Sequence, residues 1–214
     1  MTDTTTDQLP TSARGAKRSA PSSRNRHNRN ALVLLVGVLI AALGIGGGLL
    51  LSNKDDGNSA TNGSSGASKA LADGLQAELQ GNTATATKKF REVVALDPAN
   101  KLAYYNLGLI EQTAKNVTAA EADYRKTIAI DPKYAPALYN LGIIRADAGN
   151  KIDAIDLYRR ATVADPTFAR AFLNLGLLLF DTGDTTGSAA ALSKAVQLDA
   201  SLKSHIPTPQ QPAT

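Results

Sequence analysis

The longest uninterrupted apolar stretch of the chain runs from Ala31 to Leu51 and contains no charged residue. At a rise of about 1.5 Å per residue, a helix of this length just crosses a hydrocarbon core of roughly 30 Å. The pattern predicts a transmembrane helix over residues 31–52. A cleaved signal peptide is the alternative, but the stretch is longer than such segments need and no A-x-A site follows it.

Basic residues are concentrated before this stretch and are rare directly after it. Six Lys and Arg residues fall within residues 1–30 against two acidic ones, whereas Lys54 is followed at once by two Asp residues. The positive-inside rule therefore predicts a cytoplasmic N-terminus and an extracytoplasmic C-terminal part in a single-pass protein of the cell membrane. Residues 1–30 contain almost no large apolar side chains and are expected to form a disordered tail. Residues 53–69 are rich in Gly, Ser and Asn and are expected to form a flexible linker.

Beyond this linker the sequence repeats itself at a constant interval. The interval is clearest in three Asp-Pro pairs, which begin at Asp97, Asp131 and Asp165. Within one copy, apolar residues recur at the i, i+3 and i+4 spacing of a helix, so that Tyr104, Leu107 and Gly108 share one helix face. A Gly on that face permits close approach of a second helix.

Glycine and proline mark the predicted boundaries of these helices. Gly81, Gly149 and Gly183 lie between two helical patterns, where a residue that tolerates positive φ ends the first helix, and Lys115 takes this position in the second copy. Each Pro then ends the second helix of a copy. Ala200 replaces this Pro in the last copy, which predicts that the last helix continues past the usual end.

These features resemble the tetratricopeptide repeat, whose pattern has a bulky residue, Leu-Gly, a small residue, an aromatic, Ala and Pro at matching steps. The resemblance implies an all-α fold: a right-handed superhelix of about four helix-turn-helix repeats, here preceded by one transmembrane helix. Four copies exceed the roughly three that a stable stacked core needs. The array covers residues 67–202 as copies 67–100, 101–134, 135–168 and 169–202, followed by a C-terminal tail over 203–214.

The resemblance also implies a binding surface, because in this family the residues beside Leu-Gly line the concave wall formed by the first helices. In some members, Asn residues there bond to the backbone of an extended peptide, since an amide both donates and accepts. The alternative is that Asn simply belongs to the common repeat pattern. The family's carboxylate clamp is not expected, because only Arg170 matches it. The candidate partner-binding residues are Tyr105, Asn106, Leu109, Tyr139, Asn140, Ile143, Arg170, Leu173, Asn174 and Leu177.

Composition narrows the range of functions. The chain has no Cys, and its two His residues, His27 and His205, both lie outside the repeats. We therefore expect no catalytic constellation, no metal site and no cofactor. The net charge of +4 reflects the basic residues within 1–30 and not a folded basic surface, so a nucleic-acid partner is not expected.

The sequence thus predicts a non-enzymatic scaffold that is tethered to the lipid bilayer through residues 31–52. Its groove is expected to bind other proteins or extended peptide segments. A chaperone-like holdase for exported proteins is the alternative, since an apolar groove suits both roles. Gly44 and Gly48 form a G-x-x-x-G pair that would let two membrane helices approach closely and support homo-oligomers. The alternative is that these glycines only reflect the high Gly content of membrane helices.

Overall fold

The computed structural model describes residues 59–207, with side chains from residue 64 onward. The predicted tail over 1–30 and the predicted span over 31–52 lie outside these residues. Among the helices of the described part, none has both the length and the apolar character that a membrane crossing requires.

The described chain consists of eight α-helices and one 3₁₀ helix. The α-helices form four consecutive pairs, in which a short turn joins the two helices and a slightly longer connection leads to the next pair. The all-α prediction is confirmed for this part of the chain, and one helix pair corresponds to one period of the sequence repeat. The elements are α1 Ser59–Leu79, α2 Thr83–Leu96, α3 Lys101–Thr113, α4 Val117–Ile130, α5 Ala135–Asp147, α6 Lys151–Ala164, α7 Ala169–Asp181, α8 Thr185–Leu198 and the C-terminal 3₁₀ helix Ala200–His205.

The turn inside each pair contains one residue with positive φ. Gly81, Gly149 and Gly183 adopt φ values of 71°, 81° and 91°, as predicted, and Lys115 adopts 63° at the equivalent position. An L residue in this region brings its Cβ close to its own backbone, so Lys115 costs roughly 1 kcal/mol relative to Gly. The helix pair tolerates this cost because its packing is the same as in the other copies.

Each helix pair is held together by a close contact between a Gly of the first helix and a large side chain of the second. A Cβ added at Gly108 would lie 2.7 Å from Cε1 of Tyr124, and one at Gly142 would lie 2.6 Å from Cε1 of Tyr158. No larger residue fits at these positions unless the ring moves. Gly74 against Phe90 and Gly176 against Leu192 repeat the arrangement in the outer copies.

The largest cluster of buried residues crosses the boundaries between repeats. This cluster joins Tyr124 on α4 and Leu138 and Leu141 on α5 to Leu157 on α6 and Ala171 on α7. Each fully buried aromatic or leucine side chain contributes about 1.5–3 kcal/mol relative to an exposed one. Because one cluster spans three repeats, a repeat depends on its neighbours for stability.

The prediction of a flexible linker through residue 69 is wrong from residue 59 onward, because α1 begins at Ser59. Ala67 and Ala70 are buried, and Ala70 packs in the same cluster as Phe90 and Val93 of α2. The Gly- and Ser-rich composition obscures this helix. The stability of α1 comes from small side chains that fit closely against α2. The amino-acid composition of the segment alone does not reveal this packing.

The prediction that the last helix continues past its usual end is also wrong. Helix α8 ends at Leu198, and the carboxylate of Asp199 accepts a hydrogen bond of 3.0 Å from the backbone N–H of Ser201. Leu202 is buried in a cluster with Leu173, against which Ile206 also packs. The predicted C-terminal tail therefore contributes its first residues to the folded unit, where they cover the end of the array.

Two equivalent tyrosines differ in the hydrogen bonding of their buried hydroxyls. The hydroxyl of Tyr124 donates to Oε1 of Gln112 at 2.6 Å. Ala146 takes the place of Gln112 in the next repeat, and the Tyr158 hydroxyl has no partner within the described residues. A buried polar group without a partner costs about 1–3 kcal/mol.

This difference predicts that the same Tyr→Phe substitution changes stability differently in two repeats. Tyr124→Phe should lower the free energy of unfolding by about 0.5–1.5 kcal/mol, because it removes a hydrogen bond. Tyr158→Phe should leave that free energy unchanged or raise it, because it removes an unpaired buried hydroxyl. Urea unfolding of fragment 55–214, which contains the whole compact unit, measures both. Equal losses in the two variants would contradict this assignment.

Candidate functional site

All ten predicted site residues lie on three first helices, α3, α5 and α7, at positions that recur with the period of the repeat. Eight of them are half-buried, so that part of each side chain reaches the surface. Asn106 and Leu173 expose only 8% and 6% of their surface. Helix α1, the first helix of the first pair, contributes none of the predicted residues.

Hydrogen bonds between Asn and Tyr join these first helices to one another. The side-chain nitrogen of Asn140 on α5 lies 3.5 Å from the Tyr105 hydroxyl of α3, to which it donates. Asn174 on α7 donates in the same way to Tyr139 on α5, at 3.3 Å. We call Asn106, Asn140 and Asn174, which recur at one position of successive repeats, the ladder. Two of these three residues therefore reach back to the preceding repeat. Sequence reasoning missed this pairing, although the same separation of Tyr and Asn recurs along the chain.

Asn140 and Asn174 are both half-buried, so part of each amide reaches the surface. Each makes its hydrogen bond to the preceding repeat through its nitrogen. An amide whose nitrogen is engaged in this way can still accept a further hydrogen bond through its oxygen.

Asn106, the first member of the ladder, differs from the other two. The residue of the preceding repeat that would pair with Asn106 is Leu71, which offers no hydroxyl, whereas Asn140 and Asn174 pair with Tyr105 and Tyr139. Asn106 is also the most buried of the three. The ladder therefore has two equivalent members and one with different surroundings.

Rings packed on both sides hold Tyr105 and Tyr139 in place. Each tyrosine is half-buried, and burial raises the pKa of its hydroxyl above the ordinary range, which keeps the hydroxyl neutral. A neutral hydroxyl can accept from an amide and still donate. The ring partners, with centroid distances, are Tyr124 at 6.0 Å and Tyr134 at 5.1 Å for Tyr105, and Tyr158 at 5.9 Å and Phe168 at 4.8 Å for Tyr139.

The aliphatic members of the site form a second row. Leu109, Ile143 and Leu177 each lie three positions after the Asn of their repeat, and each is half-buried. Leu173 is different, because it belongs to the cluster that the C-terminal 3₁₀ helix covers. Burial raises the pKa of the Tyr139 hydroxyl, and the positive charge of Arg170 partly opposes this increase. Arg170 is therefore close enough to interact electrostatically with that hydroxyl.

The arrangement offers amides, hydroxyls, aliphatic surface and one cation. Amides and hydroxyls bond to polar backbone groups, and half-buried aliphatic side chains gain from covering by another apolar group. These are the properties of a surface that binds a polypeptide.

Solved structures of other proteins share this architecture. MamA is 26% identical, with 65% of this chain and 81% of that chain covered and a TM-score of 0.57. PilF of Pseudomonas aeruginosa is 24% identical over 65% of this chain and 64% of that chain, with a TM-score of 0.56. MamA from Desulfovibrio magneticus RS-1 is 20% identical over 63% of this chain and 76% of that chain, with a TM-score of 0.55. The last two comparisons bear on the fold alone.

Comparison of the amino-acid sequence with known families identifies the family of this chain. No curated protein matches the chain. The tetratricopeptide repeat family matches residues 72–135 and 137–202, which is more than half of the chain and includes all ten predicted site residues. On this match, and on the four helix pairs that follow one constant period, the chain belongs to the tetratricopeptide repeat family.

Proposed function

We propose that this protein is a membrane-tethered scaffold that binds a segment of a partner protein along its first helices. The observation that carries the proposal is the pair of half-buried Asn side chains, Asn140 and Asn174, whose nitrogens are held by tyrosines of the preceding repeat. In this proposal the repeats form a right-handed superhelix, and α3, α5 and α7 line its concave groove. Membership of the tetratricopeptide repeat family supports this arrangement.

The chemistry of the groove favours an extended partner segment. An amide oxygen fixed in direction accepts a backbone N–H of the partner, and each such bond is worth about 0.5–1.5 kcal/mol. The two oxygens belong to neighbouring repeats, so a segment must run along the array to reach both. Leu109, Ile143 and Leu177 then cover its apolar side chains. Arg170 adds one positive charge at one end of the row.

A binding role without catalysis fits this chemistry best. The groove residues are neutral apart from Arg170, and none of the ten is a carboxylate, His or Cys. General acid–base and nucleophilic catalysis both rely on such groups. We therefore include the absence of enzymatic activity in the proposal.

The tether is the second part of the proposal. Residues 31–52 span the bilayer, the N-terminus is cytoplasmic and the array is outside, because the basic residues precede the span. Only residues 53–58 separate the span from α1. Even fully extended, a segment of this length reaches roughly 20 Å, so the array stays close to the bilayer. The protein would thus present its partner at the membrane surface.

The groove proposal predicts a specific loss of affinity. Replacing both Asn140 and Asn174 with Ala should weaken partner binding about 5- to 150-fold, because two hydrogen bonds are lost. The matched control replaces Asn116 and Asn150, a pair that is likewise one repeat apart but lies in the turns between helices. The measurement is calorimetric titration of fragment 55–214 with a partner recovered by pull-down from membrane extracts.

The control variant should bind like wild type. Full affinity in a folded Asn140→Ala, Asn174→Ala variant would place the binding site elsewhere. A circular dichroism spectrum establishes that each variant is folded, and it is needed because both Asn residues also join neighbouring helices.

The tether proposal predicts the side of the membrane on which each end lies. Because the chain has no Cys, a single introduced Cys reports its own location. A membrane-impermeant maleimide should label a Ser204→Cys variant in intact cells and should label a Ser12→Cys variant only after lysis. Ser204 is exposed in the structure, so folding does not protect it. Labelling of Ser12→Cys in intact cells would reverse the topology.

A further inference from the structure

The outer face of α6 carries large apolar side chains that nothing in the described structure covers. Ile152 and Val163 expose 84% and 80% of their surface. They are separated by about three helical turns, which puts them on the same side of the helix roughly 16 Å apart. Arg159 lies between them on that side and is also exposed.

This feature is particular to the third repeat. The positions equivalent to Ile152 hold Thr118 in α4 and Thr186 in α8, and the position equivalent to Val163 holds Gln197 in α8. The equivalent of Val163 in α4 is Ala129, so neither helix carries a large aliphatic residue at both positions. Two exposed β-branched aliphatics on one helix face are not required by the repeat pattern.

A basic cavity adjoins this side of α6. It has a volume of about 360 Å³ and lies between the connection from α4 to α5 and the second half of α6. Three of its lining residues are cationic and the others are apolar. They are Pro132, Lys133, Arg159, Arg160, Val163 and Ala164.

Most of these positive charges lack a strong partner. Arg160 lies 3.7 Å from Asp156 on the same exposed side of the helix, and such an exposed ion pair contributes little to stability. Neither Lys133 nor Arg159 forms an ion pair with any described residue. Helix α4 carries Lys126 at the exposed position equivalent to Arg160, one repeat earlier. These cations, with Arg125, form what we call the α4–α6 basic face: Arg125, Lys126, Lys133, Arg159 and Arg160.

The positive charge of this face is a local excess. Residues 55–214 contain 16 Lys and Arg against 17 Asp and Glu, so this part of the chain is almost neutral as a whole. Acidic groups also lie on these helices: Glu121 is 2.9 Å from Arg125, and Asp153 and Asp156 are exposed on α6. The excess lies at the cavity, which three cations and no carboxylate line.

We infer that the α4–α6 basic face docks on anionic lipid headgroups of the membrane. The inference rests on the proposed tether, which leaves only residues 53–58 between the span and α1. The cations complement headgroup phosphates, and the cavity bounded by Lys133, Arg159 and Arg160 receives one of them. Ile152 and Val163 enter the interface together, because a planar surface reaches both ends of α6 at once.

Vesicle binding tests this inference without the tether. Fragment 55–214 is sedimented with phosphatidylcholine vesicles that contain about one third phosphatidylglycerol, and with vesicles of phosphatidylcholine alone. We expect binding to the anionic vesicles only, and weaker binding as salt screens the charges. Arg159→Glu with Arg160→Glu should weaken binding at least about tenfold. Ile152→Ser with Val163→Ser should also weaken it.

A matched control separates this face from overall charge. Lys115→Glu with Lys203→Glu makes the same change in net charge at exposed positions elsewhere, and it should bind like wild type. Equal weakening in both charge variants, or no binding to anionic vesicles, would overturn the inference. Competition by soluble polyglutamate at equal charge concentration would assign the face to an acidic protein instead, and competition by inorganic phosphate would assign it to the free ion. Loss of vesicle binding would leave the groove proposal intact, because the titration with Asn140→Ala and Asn174→Ala tests that separately.

Discussion

Close contact between a glycine of each first helix and a large side chain of the following second helix determines the geometry of the array. At Gly108 and Gly142, an added Cβ would lie within 2.7 Å of the ring of Tyr124 or Tyr158. The ring can approach the first helix this closely only because that Cβ is missing. The distance and rotation between the two helices follow from this contact, and its recurrence in every repeat makes each pair alike. Stacking then buries a continuous core across repeats.

The proposed binding surface depends on the same contacts. Tyr124 and Tyr158, which pack against their glycines, support the rings of Tyr105 and Tyr139. The hydroxyls of Tyr105 and Tyr139 hold the half-buried Asn side chains of the next repeat. A core contact thus positions a surface group through two intermediate side chains. The second helices have a separate role in this account, since the cations and exposed aliphatics of α6 lie on them.

The sequence predicted the features that come from short, periodic rules. Helical spacing, glycine between helices and proline after them were enough for the paired all-α fold and for the positions of the site residues. The start of α1 was not predictable locally, because Ala70 is stabilised by packing against distant residues of α2. Helix α8 ends at the usual position although Pro is missing there, and the chain then turns so that Leu202 is buried against the last repeat. The Asn and Tyr pairing likewise joins residues that lie a full repeat apart.

The most direct test of the account is hydrogen–deuterium exchange of fragment 55–214 with and without its partner. If the first helices bind the partner, exchange should slow in α3, α5 and α7, where the Asn, Tyr and aliphatic residues lie. Exchange in the second helices should change less, since they are on the other side of each pair. Protection confined to α4, α6 and α8, with no change in the first helices, would contradict the account.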